Sequence, residues 1–337
     1  MPFRILCDRF ERAAACSGAR SQWKRFSHVW PPQNQRLWEN GDDVFPYLRL
    51  VLPDMDAERR AYGIREKRLP SELGAALMLP ASSPLMHALE RWKTGESELC
   101  VRGDLPSTVQ NVLTRLGLKS GPCTLTIRDI NARLDELAHI QTTTVVGRER
   151  RQALLREILS KDLAPREAAW FFRIVLRDLR IGVSGDGFLR RLHSGALELF
   201  RTQASLRQVA MSATKLLAGV KVALRPGQPC VPMLCAKVVG KTPAATVVKT
   251  AGDDDLYCEP KLDGERRLIH LTKDGRVHAF TRHSKPCSKE VDILKDAVRA
   301  LPCSAVVLDG EVVAKHVTEG YMLAFGTMRT VAIAEAA

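Results

Sequence analysis

The sequence predicts a multidomain α + (α+β) protein: an all-helical first region over residues 1–225, then a second, mainly β region over residues 226–337 built on an antiparallel sheet. Three observations carry this. In the first two-thirds, apolar residues recur at helical spacing. At Arg225-Pro226-Gly227-Gln228-Pro229, two prolines and a glycine interrupt that pattern and mark the boundary. Beyond it the apolar runs shorten to strand length, with a hairpin dipeptide between two of them.

The elements follow in order. Ile127, Ile130, Leu134 and Leu137 share one helical face, and Thr126 with Asp129 makes a capping box at its start. A second helix begins near Pro165, a residue suited to a first turn, and is expected to run through Ala169, Phe172, Leu176 and Leu179 to a stop at Gly182. Arg166, Arg173, Arg177 and Arg180 then fall on one face of it as a basic stripe beside the apolar one. Past the boundary, Leu256-Tyr257-Cys258 leads into a loop, and Leu268 to Thr272 reads as a strand. Asp274-Gly275 signals a hairpin before the strand Val277 to Thr281. Val306-Val307-Leu308 reads as a buried strand ending at Asp309-Gly310-Glu311, followed by Val312-Val313.

Composition bounds the class. At 45% apolar and 26% charged residues over 337 positions, the chain can bury substantial cores. Its nine cysteines are odd in number, irregularly spaced and without a Cys-x-x-Cys pair, so they read as reduced thiols of an intracellular protein. The first apolar stretch is broken by charge after three residues and no run approaches membrane-spanning length, which predicts a soluble chain. Net charge is +13, and Arg148 to Arg225 alone holds 16 Lys and Arg against 7 Asp and Glu. That excess suits a phosphate-binding surface, and it equally suits solvated helix faces.

The chemistry concentrates in Glu259-Pro260-Lys261-Leu262-Asp263-Gly264-Glu265-Arg266-Arg267, with Leu308-Asp309-Gly310-Glu311 about fifty residues later. A lysine amine is a poor nucleophile while protonated, so covalent catalysis by Lys261 needs desolvation or a neighbouring cation. Arg266 is the cation the sequence offers.

Lys261-Leu262-Asp263-Gly264-Glu265-Arg266 resembles the Lys-x-Asp-Gly-x-Arg motif of the covalent nucleotidyltransferases, which include ATP-dependent DNA ligases, RNA ligases and messenger RNA capping enzymes. Thr281-Arg282 stands where that superfamily has Ser-Arg-Asn, with His283-Ser284 replacing the usual Asn-Gly, and Asp309-Gly310-Glu311 resembles its next motif. The long helical region ahead of the lysine resembles cellular DNA ligases rather than capping enzymes or small RNA ligases. Pro2 to Cys7, Phe45 to Pro53 and Glu58 to Glu66 resemble the start of the eukaryotic type IV class. Ile174 to Ser184 resembles a segment by which ligase DNA-binding domains hold the minor-groove backbone, and the likeness extends to about Arg329.

The resemblance implies a helical DNA-binding domain followed by a nucleotidyltransferase (adenylation) domain with an ATP-grasp-like antiparallel sheet. Lys261 would take AMP from ATP as a phosphoamide, pass it to the 5′-phosphate of a nick, and the 3′-hydroxyl would displace it. Mg²⁺ would neutralise developing charge, and Glu311 is the position matching the carboxylate that contacts nucleotide and metal. Arg266 would hold phosphate oxygens; Glu259, Leu262 and Arg282 would join Glu311 in binding ATP. Arg166, Arg173, Arg177 and Arg180 are the DNA-contact candidates. The class further implies nicked or broken double-stranded DNA as partner, non-homologous end joining and recombination in the nucleus, and an end-joining scaffold protein.

Only 76 residues follow Lys261, and the later motifs of the family, its barrel domain and the scaffold-binding repeats are not among them. The adenylation domain is therefore expected to be truncated, with weak or no labelling by ATP and no nick sealing by this chain alone. Two readings stay open: an incomplete copy of a DNA ligase, and a non-catalytic DNA-binding fragment.

Overall fold

The computed structural model describes residues 1–17, 21–59, 61–118, 121, 123–220, 223–235, 243–252, 255–257, 259–316 and 318–323. Arg60, Cys258 and residues from 324 on, which enter the sequence reading, lie outside them. The chain divides into two compact units, Met1–Phe200 with Ser205–Lys221, and Arg201–Ala204 with Val222–Ala337. The line falls a few residues ahead of the prolines at 226 and 229.

Up to residue 217 the described elements are helical. They are α1 (Phe3–Ala14), α2 (Ser21–Val29), α3 (Pro32–Glu39), α4 (Phe45–Val51), α5 (Leu69–Ala76), α6 (Pro84–Glu90) and α7 (Leu105–Leu116). There follow α8 (Ile127–His139), α9 (Val145–Glu157), α10 (Pro165–Leu176), α11 (Gly185–Leu192), α12 (Ala196–Gln203), α13 (Leu206–Met211) and α14 (Ala213–Leu217). Local chemistry sets several of these ends. The Thr126 and Asp129 side chains each accept from the other's backbone at the start of α8, the reciprocal box the sequence predicts. Asp104 accepts from the Ser107 N–H to start α7, and Gly117 ends it in the left-handed region at φ 64°.

α10 begins at Pro165 as expected but stops at Leu176, six residues short of Gly182. Arg177 turns left-handed at φ 58°, and the Asp178 N–H folds back to the Arg173 carbonyl at 2.9 Å, which satisfies the helix end. Leu179 and Ile181 are buried along the loop that follows. Their burial imitates another helical turn in the sequence without one being present.

The first core is aromatic. Phe10 of α1 packs on Trp170 of α10 with centroids 5.1 Å apart, and Phe26 of α2 meets Phe188 of α11 edge-on at 5.1 Å. Trp38 of α3 is fully buried, and its indole N–H donates to the Val209 carbonyl of α13 at 3.0 Å, so burial leaves no indole donor stranded. Charge is buried too. Asp135 of α8 accepts from Arg49 of α4 at 2.8 and 2.9 Å and from Arg59 Nε at 2.9 Å. Arg59 also donates to Asn131 at 2.6 Å, and Arg49 Nε to Asp56 at 2.7 Å. Asp135 is a third exposed, and without it Arg49 keeps Asp56 while the buried Arg59 keeps Asn131 and the more distant Asp56. Asp135→Ala is therefore expected to destabilise the first unit by about 1–3 kcal/mol, read as a lowered urea midpoint at unchanged slope.

The second unit holds α15 (Pro243–Ala251), β1 (Glu265–Leu271), β2 (Val277–Thr281), a 3₁₀ turn (Ser288–Leu294), α16 (Lys295–Arg299) and β3 (Val306–Val312). The strands form an antiparallel sheet in the order β2-β1-β3. Gly275 closes the β1–β2 hairpin at φ 75°, as the Asp-Gly signal predicts. β3 lies at the edge of the described sheet, which corrects the expectation of a buried strand: Leu308 is 36% exposed. It also runs through Asp309-Gly310-Glu311 to Val312 instead of ending at them.

Strand alternation sorts the sheet into two faces. Ile269 and Leu271 of β1 with Val277 and Ala279 of β2 pack on Val291 and Val298, so one face is covered by the 3₁₀ turn and α16. On the other face, residues 226–233 cross β1 end to end. The Gly227 N–H donates to His270 at 3.1 Å, Cys230 packs on Leu268 and Phe280, and the Met233 carbonyl accepts from Arg266 at 2.8 Å. Gly227 is required at its turn, since its φ is 88° and a Cβ would lie 2.8 Å from Thr272 Cγ2. Among the described residues no helix is long and apolar enough to cross a membrane, and no disulfide joins the cysteines.

Candidate functional site

The residues singled out in the sequence gather at one end of this second face. In the β1–β3 register Arg266 stands opposite Glu311 and Leu268 opposite Asp309, so Arg266, Asp309 and Glu311 share a face. Thr281 pairs with Arg267, which brings Arg282, the next residue, to the same end of the sheet. The Lys261 loop enters β1 there through Gly264, whose N–H donates to Glu311 Oε1 at 3.2 Å. Three segments far apart in sequence thus meet around one lysine loop. Glu311 is half-buried, whereas Glu259, Lys261 and Arg282 are exposed.

The electrostatics depart from the sequence expectation. Lys261 is 85% exposed at its side chain and pairs with Asp263 at 3.2 Å. Arg266 donates from Nε and Nη2 to both oxygens of Asp309, at 2.8 and 2.6 Å, and from Nη2 to the Met233 carbonyl. The guanidinium expected beside the lysine is thus matched by a carboxylate on the neighbouring strand. Lys261 has neither the burial nor the uncompensated cation that would activate it. Leu262 is 42% exposed, which removes core packing as its role, and Arg282 Nε donates to His283 Nε2 at 3.1 Å, the residue standing in place of asparagine.

Asp309 is the contact that the sequence reading quoted without assigning. The signal was present: Asp309 and Glu311 are two apart, so on a strand they share a face. Among the described residues no group of three His, Cys, Asp or Glu side chains is placed to hold a metal. Glu311 is a single hard oxygen donor, the kind that suits Mg²⁺ when substrate phosphates supply other ligands.

Under Gly227, His270 is fully buried, and burial, with a smaller contribution from His278, lowers its pKa from 6.5 to about 4. Nδ1 accepts the Gly227 N–H, so the neutral ring carries its proton on Nε2. The folded pKa lies below the unfolded value, so this contribution is complete above pH 6.5 and is lost as pH falls from 6.5 to 4. The loss should reach about 3 kcal/mol, since one pKa unit corresponds to about 1.4 kcal/mol. Urea unfolding of the second unit at pH 7 and pH 4.5 should show the drop in wild type, and a smaller one in His270→Gln.

In the first unit the basic stripe does not form, because α10 ends before two of its members. Arg166 pairs with Asp8 at 2.7 Å and with Glu11 and Glu167; Arg173 is buried against Asp104 and Ser107. Arg177 and Arg180 sit on the loop after α10 and donate to the carbonyls of Arg59 and Gly103, and Arg180 also pairs with Asp178 at 2.7 Å. That loop, Arg177 to Gly185, faces Val51 to Asp54 across a cleft of about 330 Å³. The lining carries both signs, with Asp54 and Asp178 beside the two arginines. Arg25 of α2 was missed by the sequence reading. Its guanidinium lies against Gly182, where a Cβ would come within 2.8 to 2.9 Å of it.

Comparison with known proteins completes the picture. Residues 2–193 match the family described as DNA ligase N terminus, and residues 232–337 match the ATP dependent DNA ligase domain. The chain is similar to the protein named DNA ligase 4 of Yarrowia lipolytica, 31% identical in an alignment of 312 residues that covers 87% of this chain and 31% of that protein. The Neurospora crassa protein of that name is 27% identical in an alignment of 326 residues that covers 88% of this chain and 30% of the relative. For Coprinopsis cinerea the figures are 27% in an alignment of 344 residues, gaps included, with coverages of 98% and 32%. The chain therefore spans a little under a third of the length of these relatives. A solved structure named Pmar-Lig_PreS3 is similar at a TM-score of 0.44 and 15% identity, over 95% of this chain and 54% of that one.

Proposed function

The chain belongs to the ATP-dependent DNA ligase family, and from that premise we propose that Lys261 is the residue that takes AMP from ATP for sealing breaks in DNA. Its Nζ attacks the α-phosphorus, a P–N bond forms, and the P–O bond to pyrophosphate breaks. AMP passes next to a 5′-phosphate, and a 3′-hydroxyl displaces it to close the strand. The role is that of the type IV class: end joining and recombination in the nucleus, on duplex DNA with nicks or ends, beside an end-joining scaffold protein.

The observation that supports this reading most is the convergence of the lysine loop, Arg266 and Glu311 on one sheet face, with Arg282 at the same end of the sheet. Arg266 and Arg282 supply fixed charge for phosphate oxygens, and Glu259 and Leu262 flank the lysine where the nucleotide would sit. Mg²⁺, when bound, neutralises charge on the phosphates, and Glu311 is the residue that would hold it. Arg177, at the cleft of the first unit, is the better DNA contact, since Arg166, Arg173 and Arg180 are engaged by carboxylates.

The test is the destination of the label. Incubation with α-labelled ATP and Mg²⁺, followed by peptide mapping, should find AMP on the peptide containing Glu259 to Arg266. Label on any other peptide overturns the assignment.

A further inference from the structure

The chain has five tryptophans, and four of them are at most 7% exposed: Trp30, Trp38, Trp92 and Trp170. Trp23 of α2 is 62% exposed. It is nonetheless held in place. Its ring lies 5.7 Å from Phe26 at a 32° tilt, and Phe26 in turn meets Phe188 of α11. An indole backed by an aromatic ladder is a rigid, amphipathic plane whose outer face is open.

Its surroundings are basic. Lys24, the next residue, is exposed, and the Arg191 guanidinium of α11 is drawn to α2 by Gln22 Oε1 at 3.0 Å and held by the Gly187 carbonyl at 2.9 Å. Both acceptors are neutral, so these bonds leave the charge uncompensated, unlike Arg166 or Arg207, whose bonds go to carboxylates. The other side of α2 belongs to the cleft, since Arg25 lies against Gly182. A helix is about 10–12 Å across, the span of about three nucleotides at ~3.4 Å each in a stacked strand.

We propose that Trp23, with Lys24 and Arg191 beside it, is a stacking platform for an unpaired nucleobase, so that this chain grips the short single-stranded overhang of a DNA end. The proposal rests on the reading of the chain as a DNA-end ligase and adds the kind of end it holds. An exposed plane with a cation on each flank of its helix fits a strand whose bases stack and whose phosphates are anionic. Bases inside a duplex are already stacked on one another, so the platform acts only on unpaired ones. Charge argues against an apolar peptide as the occupant.

The test compares a blunt duplex with the same duplex carrying a three-thymidine overhang, binding to the full chain. The overhang should tighten binding about tenfold and quench the Trp23 emission. Trp23→Ala should remove that gain while leaving blunt-duplex affinity within about twofold, and Trp23→Phe should keep most of it. Because Trp23 is exposed, neither substitution opens the core. A gain that survives Trp23→Ala, no gain in wild type, or an indole emission unmoved by the overhang each overturns the proposal. If wild type binds the blunt duplex and only the overhang gain is missing, the DNA-end reading stands without it; if wild type binds neither duplex, that reading falls as well.

Discussion

Lys261→Ala is expected to reduce transfer of labelled AMP from ATP to background, while DNA affinity changes by less than about twofold. The asymmetry follows from what the side chain touches. Lys261 is exposed on a loop, and its ion pair is with Asp263, two residues away and also exposed. Removing such a pair costs about 0–1 kcal/mol, so the fold should be untouched. In the proposed role, by contrast, the nucleophile has no substitute: once Nζ is gone there is no amine to form the P–N bond. Lys261→Arg should be as inactive, because a guanidinium keeps its proton and cannot attack. Labelling of the wild-type chain is itself expected to be low. Lys261 is exposed and paired with Asp263, and Arg266, the cation offered by the sequence, is bound to Asp309. The measurement is label retained on the denatured chain, with binding of a nicked duplex as the control. Retained label in Lys261→Ala at the wild-type level would move the acceptor elsewhere.

What the sequence disclosed and what it hid divide by range. The capping box at Thr126 and Asp129 and the Asp-Gly hairpin at residue 275 are decided by neighbours three residues apart or fewer, and both formed. The end of α10 was misplaced because Leu179 and Ile181 are buried from a loop and not from a further helical turn. That single error created the four-arginine stripe; in the structure Arg166, Arg173 and Arg180 are ion-paired, and Arg177 and Arg180 lie on a cleft loop. At the lysine loop, the residue types were legible, since Lys261, Arg266 and Glu311 sit in recognisable short motifs. Their partners were not. Arg266 meets Asp309 only because β1 pairs with β3, a contact across 43 residues that no local pattern encodes. Exposure was hidden as well: composition counts Trp23 as one more core aromatic, and only the packing of α2 on α11 shows its ring facing outward.

Gly264→Ala should damage the site by a different route, through space rather than chemistry. Gly264 does not need its glycine for a left-handed backbone, since its φ is not positive. It needs it because a Cβ would fall on the Val312 carbonyl oxygen and 2.6 Å from Val313 Cγ1. Val312 is the β3 partner of Glu265, so these two backbones are already at ladder distance and cannot separate without breaking pairing. The methyl must push the mouth of β1 away from β3. That movement takes the Gly264 N–H off Glu311 and swings the lysine loop out of reach of the same carboxylate. Overpacking of this kind costs about 1–3 kcal/mol, and misplacing reacting groups by an ångström costs about a hundredfold in rate. AMP labelling should therefore fall from its low wild-type level to background, with a modest drop in the second unit's unfolding midpoint. Gly310→Ala is the matched control, because nothing lies within 4 Å of a Cβ there although the position is on β3 between Asp309 and Glu311. It should label like wild type. If Gly264→Ala labels normally, or Gly310→Ala is equally inactive, the contact between the lysine loop and the β3 end is not what holds Glu311 in place.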